Sequence, residues 1–118
     1  MKILLDQSFP SSIATLSYHG HILGRCDAPR LDGVFVEKAA EEGFEIAVML
    51  GCSVLADNAL LDRCRELPLA LAVTTEEHPV IAGNNVTANL LRLVDLASPG
   101  AVLVIKKRSV TRLCSPSS

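Results

Sequence analysis

Two carboxylates and one basic cluster carry most of the chemistry this sequence could perform. Asp6 closes the apolar run Lys2-Ile3-Leu4-Leu5. A carboxylate ending a buried strand is costly to desolvate unless it is paired, hydrogen-bonded or bound to a cation. Asp6 therefore reads either as an oxygen ligand for a hard ion such as Mg²⁺ or Mn²⁺, or as the acceptor of a cap or loop ion pair. Asp32 stands before an apolar helical pattern and reads as an N-cap, or as a second acid brought beside Asp6. Lys106, Lys107 and Arg108, with Arg112, form the basic cluster, which reads as a phosphate contact or as a solvated strand end. Glu76 and Glu77 read as solvated loop carboxylates. Gly51-Cys52-Ser53 could present a thiol near a helix N-terminus, although buried small-residue packing is the favoured reading. His19 and His21 flank Gly20, as metal ligands or as surface residues.

The remaining motifs are negative. There is no GxGxxG and no GxxxxGK[ST], so no phosphate-cradling loop is encoded. Cys26, Cys52, Cys64 and Cys114 contain no CxxC pair, and they read as free thiols rather than a zinc set. With only Tyr18, Phe9, Phe35 and Phe44 as aromatics, a base-stacking platform is hard to build.

The elements that would position these residues follow from the apolar pattern. Strands are expected at 2–5, from His21 to about Cys26, and at 44–50, 69–74 and 101–105. Helices are expected from Ser8 through Ser17, ended by Gly20; from Asp32 to Glu42; and from Cys52 to Pro68, carrying Ala56, Leu60 and Cys64. A last helix is capped by Asn84 or Asn85 and carries Leu90, Leu91 and Val94; residues 78–83 read as irregular. This alternation predicts a three-layer α/β/α sandwich with a mostly parallel five-stranded sheet and right-handed crossovers. In such sheets ligands bind beyond the carboxyl ends of the strands, where Asp6, Asp32, Cys52, Thr74 to His78, and Lys106 to Arg108 all fall.

The chain has 118 residues, 49% of them hydrophobic, and a formal net charge of −2. That length predicts a single domain over 1–113 with a polar tail at 114–118. The apolar content excludes intrinsic disorder. No apolar run reaches the length of a membrane span, and the N-terminus lacks a signal-type apolar stretch, so a cytoplasmic protein without membrane attachment is expected. A charge near neutrality excludes a general polyanion coat.

Met1-Lys2-Ile3-Leu4-Leu5-Asp6-Gln7-Ser8-Phe9-Pro10, then His19-Gly20-His21, Asp32 and Ala39-Ala40-Glu41-Glu42-Gly43, resemble the short PIN-like domains. These are relatives of the PilT N-terminus ribonucleases and of PIN-type toxins. The resemblance covers about the first 55 residues and is loose beyond Gly51. It implies a PIN-like fold and a Mg²⁺- or Mn²⁺-dependent endoribonuclease of toxin–antitoxin type. Its partners would be RNA and an antitoxin or other protein, and it would form a homo-oligomer. Asp6 and Asp32 would then be the catalytic acids and metal ligands, Asp57 or Glu76 an auxiliary ligand, and Lys106, Lys107 and Arg108 nucleic-acid contacts. The metal would activate water for attack on phosphorus. Two departures open a second reading. Val48-Met49-Leu50-Gly51-Cys52-Ser53-Val54 stands where the family carries Thr-x-Asp-x-Asp-Phe, and Gln7 replaces a glutamate. These losses imply a catalytically inactive PIN-like module that binds a partner or oligomerises. A receiver-like domain would instead need an aspartate ending the third strand, where Gly51 stands.

Overall fold

The computed structural model describes residues 1–10, 17–18, 21–25 and 32–113, with the backbone alone for 17, 18, 32 and 33. The expected helix positions Ile13 and Leu16, His19, Cys26 with the loop after it, and the tail at 114–118 lie outside the described residues.

The strands are β1 (Lys2–Leu5), β2 (Ser17–Tyr18), β3 (His21–Arg25), β4 (Ile46–Met49), β5 (Ala70–Thr74), β6 (Val102–Ile105) and β7 (Val110–Arg112). They form one sheet in the order β2-β3-β1-β4-β5-β6-β7. The five expected strands are its parallel centre. Two short antiparallel strands, β2 on β3 and β7 on β6, extend it at the edges. The parallel strands thus run 2-1-3-4-5 in their own sequence order, the order of flavodoxin-like sheets. The helices are α1 (Asp32–Glu41), α2 (Asn58–Glu66), α3 (Pro79–Ala88) and α4 (Leu90–Leu96).

Strand alternation divides the core between the two sheet faces. Ile3, Leu5, Ile46, Val48, Ala70, Ala72, Leu103 and Ile105 face one way, against Ala82 and Val86 of α3 and Leu90 and Leu93 of α4. Leu4, Ala47, Met49, Leu71, Val73 and Val104 face the other, against Phe35, Val36 and Ala39 of α1 and Leu60 and Cys64 of α2. Because both faces are covered, the central strands are apolar on both faces rather than at alternate positions, β4 and β5 being buried throughout and only Thr74 at the end of β5 being polar among their residues.

Four expectations are corrected. Ser17 belongs to a strand, not to the end of a helix. The segment from Cys52 to Pro68 is not one helix. A 3₁₀ turn over Ser53–Ala56 stops at Asp57, which is extended and caps α2 by accepting from the Leu60 N–H at 3.1 Å; Ala56 is exposed while Leu60 and Cys64 are buried. Residues 79–83 are helical rather than irregular, because Pro79 takes the first helical position, where its missing N–H costs nothing. Neither Asn84 nor Asn85 is a cap. The break falls at Asn89, between α3 and α4.

The crossovers also depart from expectation. The steps from β3 to β4, β4 to β5 and β5 to β6 all run the same way along the sheet. Yet α1 and α2 pack on one face and α3 and α4 on the other. The last connection is therefore opposite in hand to the two before it, against a rule obeyed by roughly 98% of parallel crossovers. This connection differs from the other two in carrying two helices, α3 and α4, with a break at Asn89.

Candidate functional site at the carboxyl edge of the sheet

Chain direction decides where a cleft can open. After β1 the chain passes to the α3–α4 face, where Phe9 is buried; after β4 it passes to the α1–α2 face, where Val54 is buried; after β5 it returns to the α3–α4 face. Neighbouring loops therefore diverge twice, between β1 and β4 and again between β4 and β5. Divergence of this kind creates the crevices in which open α/β sheets bind ligands.

Both crevices are crossed by side chains of the fold. Asp6 is 1% exposed. Its Oδ1 accepts from the Ser8 N–H at 2.7 Å, and its Oδ2 accepts from the Leu50 N–H at 2.8 Å. The carboxylate thus ties its own loop and bridges the first divergence from β1 to the residue after β4. Thr74, fully buried at the end of β5, spans the second. Its Oγ1 accepts from the Gly51 N–H at 3.0 Å and donates to the Glu76 carbonyl at 2.8 Å. Gly51 sits at φ +85°, a conformation a side chain would strain. Cys52 Sγ donates to the Thr74 carbonyl at 3.3 Å.

Two further residues complete this polar seam. Arg25, at the end of β3, donates from Nε to the Phe9 carbonyl at 2.9 Å and from Nη2 to the Gln7 carbonyl at 2.7 Å, pinning the loop after β1. Asn89, buried between α3 and α4, donates through Nδ2 to the carbonyls of Asn85 (2.9 Å), Lys106 (3.0 Å) and Lys107 (3.2 Å). Its Oδ1 accepts from Arg92 at 2.9 Å, and the same Arg92 Nη1 donates to the Arg108 carbonyl at 3.1 Å. Neither Arg25 nor Asn89 was singled out from the sequence. The available signals were an arginine closing a strand and an asparagine beside an apolar helix stripe.

The expected site residues distribute as follows. Asp6 is at the mouth of the sheet, with both oxygens turned inward to backbone donors. Asp32 opens α1, which places its backbone at the same edge; its carboxylate lies outside the described side chains. Asp57 is exposed and is the cap of α2. Glu76 Oε1 accepts from the N–H groups of Glu77 and His78, both at 3.1 Å, so it caps its own loop. His21 Nδ1 lies 3.1 Å from the Met1 nitrogen. Lys106, Lys107 and Arg108 are exposed on the turn between β6 and β7. Among the described residues, no three His, Cys, Asp or Glu side chains gather so as to hold a metal ion.

The described thiols are poor nucleophiles. Burial, with the Glu77 carboxylate next in importance, pushes the Cys52 thiol up. Burial pushes Cys64 up to about 11, against an ordinary value of 9.0. Both stay protonated near neutral pH, which removes the activated-thiol reading of Gly51-Cys52-Ser53.

The class that fold and edge define is an α/β domain with a mostly parallel sheet covered on both faces. Comparison with protein-family models, with curated proteins and with solved structures found no match to this chain. Among the described residues, no helix is long and apolar enough to cross a membrane.

Proposed function

We propose that this chain is a catalytically inactive PIN-like module that acts by binding and self-association. One observation carries the reading. The carboxylate best placed to hold a divalent ion accepts a backbone N–H at each oxygen and bridges the crevice where a substrate would enter. A catalytic acid of a metal-dependent nuclease keeps its oxygens for the ion and the ion open to phosphate. Asp6 instead serves as a latch. The absence of both acids after β4 supports the same reading, since Val48-Met49-Leu50-Gly51-Cys52-Ser53-Val54 carries no carboxylate.

The test is cleavage of a labelled single-stranded RNA with Mn²⁺, comparing wild type with Asp6→Asn and Asp32→Asn. The expected result is no Mn²⁺-dependent cleavage by any of the three. Cleavage by wild type that both substitutions abolish would return the chain to the endoribonuclease reading, with Asp6 and Asp32 as its acids.

Self-association has its own support. α3 carries no charged residue, and its outer face exposes Val80 (53%) and Ile81 (45%); Leu91 of α4 (56%) continues the stripe past Asn84 and Ala88. A helix apolar on both sides is expected to be covered on both. An uncharged stripe can meet its own copy about a two-fold axis without juxtaposing like charges. The expected result is a dimer by light scattering at micromolar concentration, converted to monomer by Ile81→Glu with Leu91→Glu. A monomeric wild type, or a dimer untouched by the double substitution, would contradict it.

A further inference from the structure

We infer that the turn joining β6 to β7 is a preorganised docking point for the phosphodiester backbone of a polynucleotide, built separately from the Asp6 crevice. Five of the eleven Lys and Arg residues lie at Arg92 and between Lys106 and Arg112. In a chain of net charge −2, that is a pronounced local excess. Elsewhere among the described residues most cations have a partner, Lys38 of α1 being exposed without one. Arg63 pairs with Glu37 and Glu66, Arg65 with Asp62, and Lys2 lies over the Phe44 ring at 4.7 Å. Lys106, Lys107, Arg108 and Arg112 are all exposed, and among the described residues none is paired with a carboxylate.

The backbone shows that the cluster is held in shape. Ile105 pairs with Val110, and the Lys106 N–H donates to the Ser109 carbonyl at 2.8 Å, so Lys107 and Arg108 form the tip of the turn. Tight hairpin tips favour Asn-Gly or Asp-Gly, whose conformations suit them. Here two cations occupy the tip, and the turn is secured from behind. Asn89 takes the carbonyls of Lys106 and Lys107, and Arg92 takes that of Arg108. Three successive carbonyls are drawn inward, which leaves the basic side chains to project. A cation cluster fixed in this way loses less freedom on meeting an anion than one on a mobile loop.

The ligand class follows from what the turn lacks. Lys106-Lys107-Arg108-Ser109 offers no apolar anchor of the kind that centres a protein interface. Counterion release from phosphates needs no such anchor. With so few aromatics in the chain, bases would not be read by stacking, and binding would be indifferent to sequence. The site is also distinct from Asp6. β6 is three strands from β1, about 14 Å at the usual spacing of about 4.8 Å, beyond the reach of a lysine side chain to a phosphate at Asp6.

The experiment is fluorescence anisotropy of a labelled uridine dodecamer with the full chain, from about 50 to 200 mM salt. Saturable binding is expected, with a log–log salt slope near −3 for about four neutralised phosphates. Lys107→Glu with Arg108→Glu, both exposed at the tip, should weaken binding by about tenfold or more at low salt while leaving the circular dichroism spectrum unchanged. Asp6→Asn should bind as wild type does, which separates this inference from the reading of Asp6. An absence of saturable binding at about 50 mM salt, full binding by the tip variant, or a salt-independent affinity would overturn it. Displacement of the RNA by polyglutamate at equal charge concentration would assign the surface to an acidic protein instead, and would equally overturn it.

Discussion

Asp6→Ala is expected to destabilise the folded chain by about 3 kcal/mol, measured as the loss of unfolding free energy in urea. The substitution removes the acceptor of two N–H groups, of Ser8 and Leu50, at a position where the carboxylate is 1% exposed. A hydrogen bond to a charged group contributes about 1.5–3 kcal/mol, and a buried donor left unmatched adds its own desolvation cost. Asp6→Asn should cost less, because one oxygen remains, but it sets an amide N–H₂ against a backbone N–H and cannot restore wild-type stability. If Asp6 were held for an ion, substitution would instead relieve the burial of a charge, and stability would hold or rise. The sign of the change therefore distinguishes a latch from a ligand.

Asn89→Ala is the second large effect, with an expected loss of about 2 kcal/mol. One buried amide group serves three carbonyls, one on α3 and two at successive residues entering the β6–β7 turn, and its oxygen orients Arg92. Alanine leaves these acceptors to water or to nothing. It also loosens the junction of α3 and α4, where Asn89 lies. Amide hydrogen exchange should quicken at Lys106 and Leu113, whose N–H groups are bonded to Ser109 and Val102. Asn84→Ala, exposed on α3, is the control and should change stability by no more than about 0.5 kcal/mol. Equal effects from the two asparagines would remove the role assigned to Asn89.

The parallel strands were legible because burial on both faces writes an uninterrupted apolar run. Ile46-Ala47-Val48-Met49 and Ala70-Leu71-Ala72-Val73 could be little else. β7 was not legible. Val110-Thr111-Arg112 is short and mixed, and the turn before it holds Lys107-Arg108 in place of the residues that mark a hairpin. α3 was missed for a related reason. Pro79, Gly83 and paired asparagines read as breakers, whereas Pro79 starts the helix and buried Gly83 and Asn85 face the sheet layer. The hand of the last crossover has no sequence signature, because apolar strands with two covered faces do not say which face the next helix takes.

The candidate site was legible in position but not in use. A carboxylate closing β1 announced that something must satisfy it. Among its partners are the backbone N–H groups of Ser8 and Leu50, and residue type at those positions carries no trace of them. Asp57 shows the same limit: its helix-capping bond is a common use of aspartate, and spacing alone does not separate it from a ligand. Thr74 stood at a strand end as expected. Its bridge to Gly51 depends on the loops after β4 and β5 leaving toward opposite faces, a property of topology rather than of either residue.

The role of Asp6 is tested most directly by the dependence of stability on Mn²⁺. Any ion bound only by the folded state raises the unfolding free energy by RT ln(1 + [ion]/Kd), or about 2.7 kcal/mol at one hundred times Kd. The latch account predicts that millimolar Mn²⁺ leaves the urea midpoint of wild type unchanged, and that Asp6→Asn unfolds at lower urea with or without the ion. A midpoint that rises with Mn²⁺ in wild type and not in Asp6→Asn would contradict it, and would make Asp6 a metal ligand.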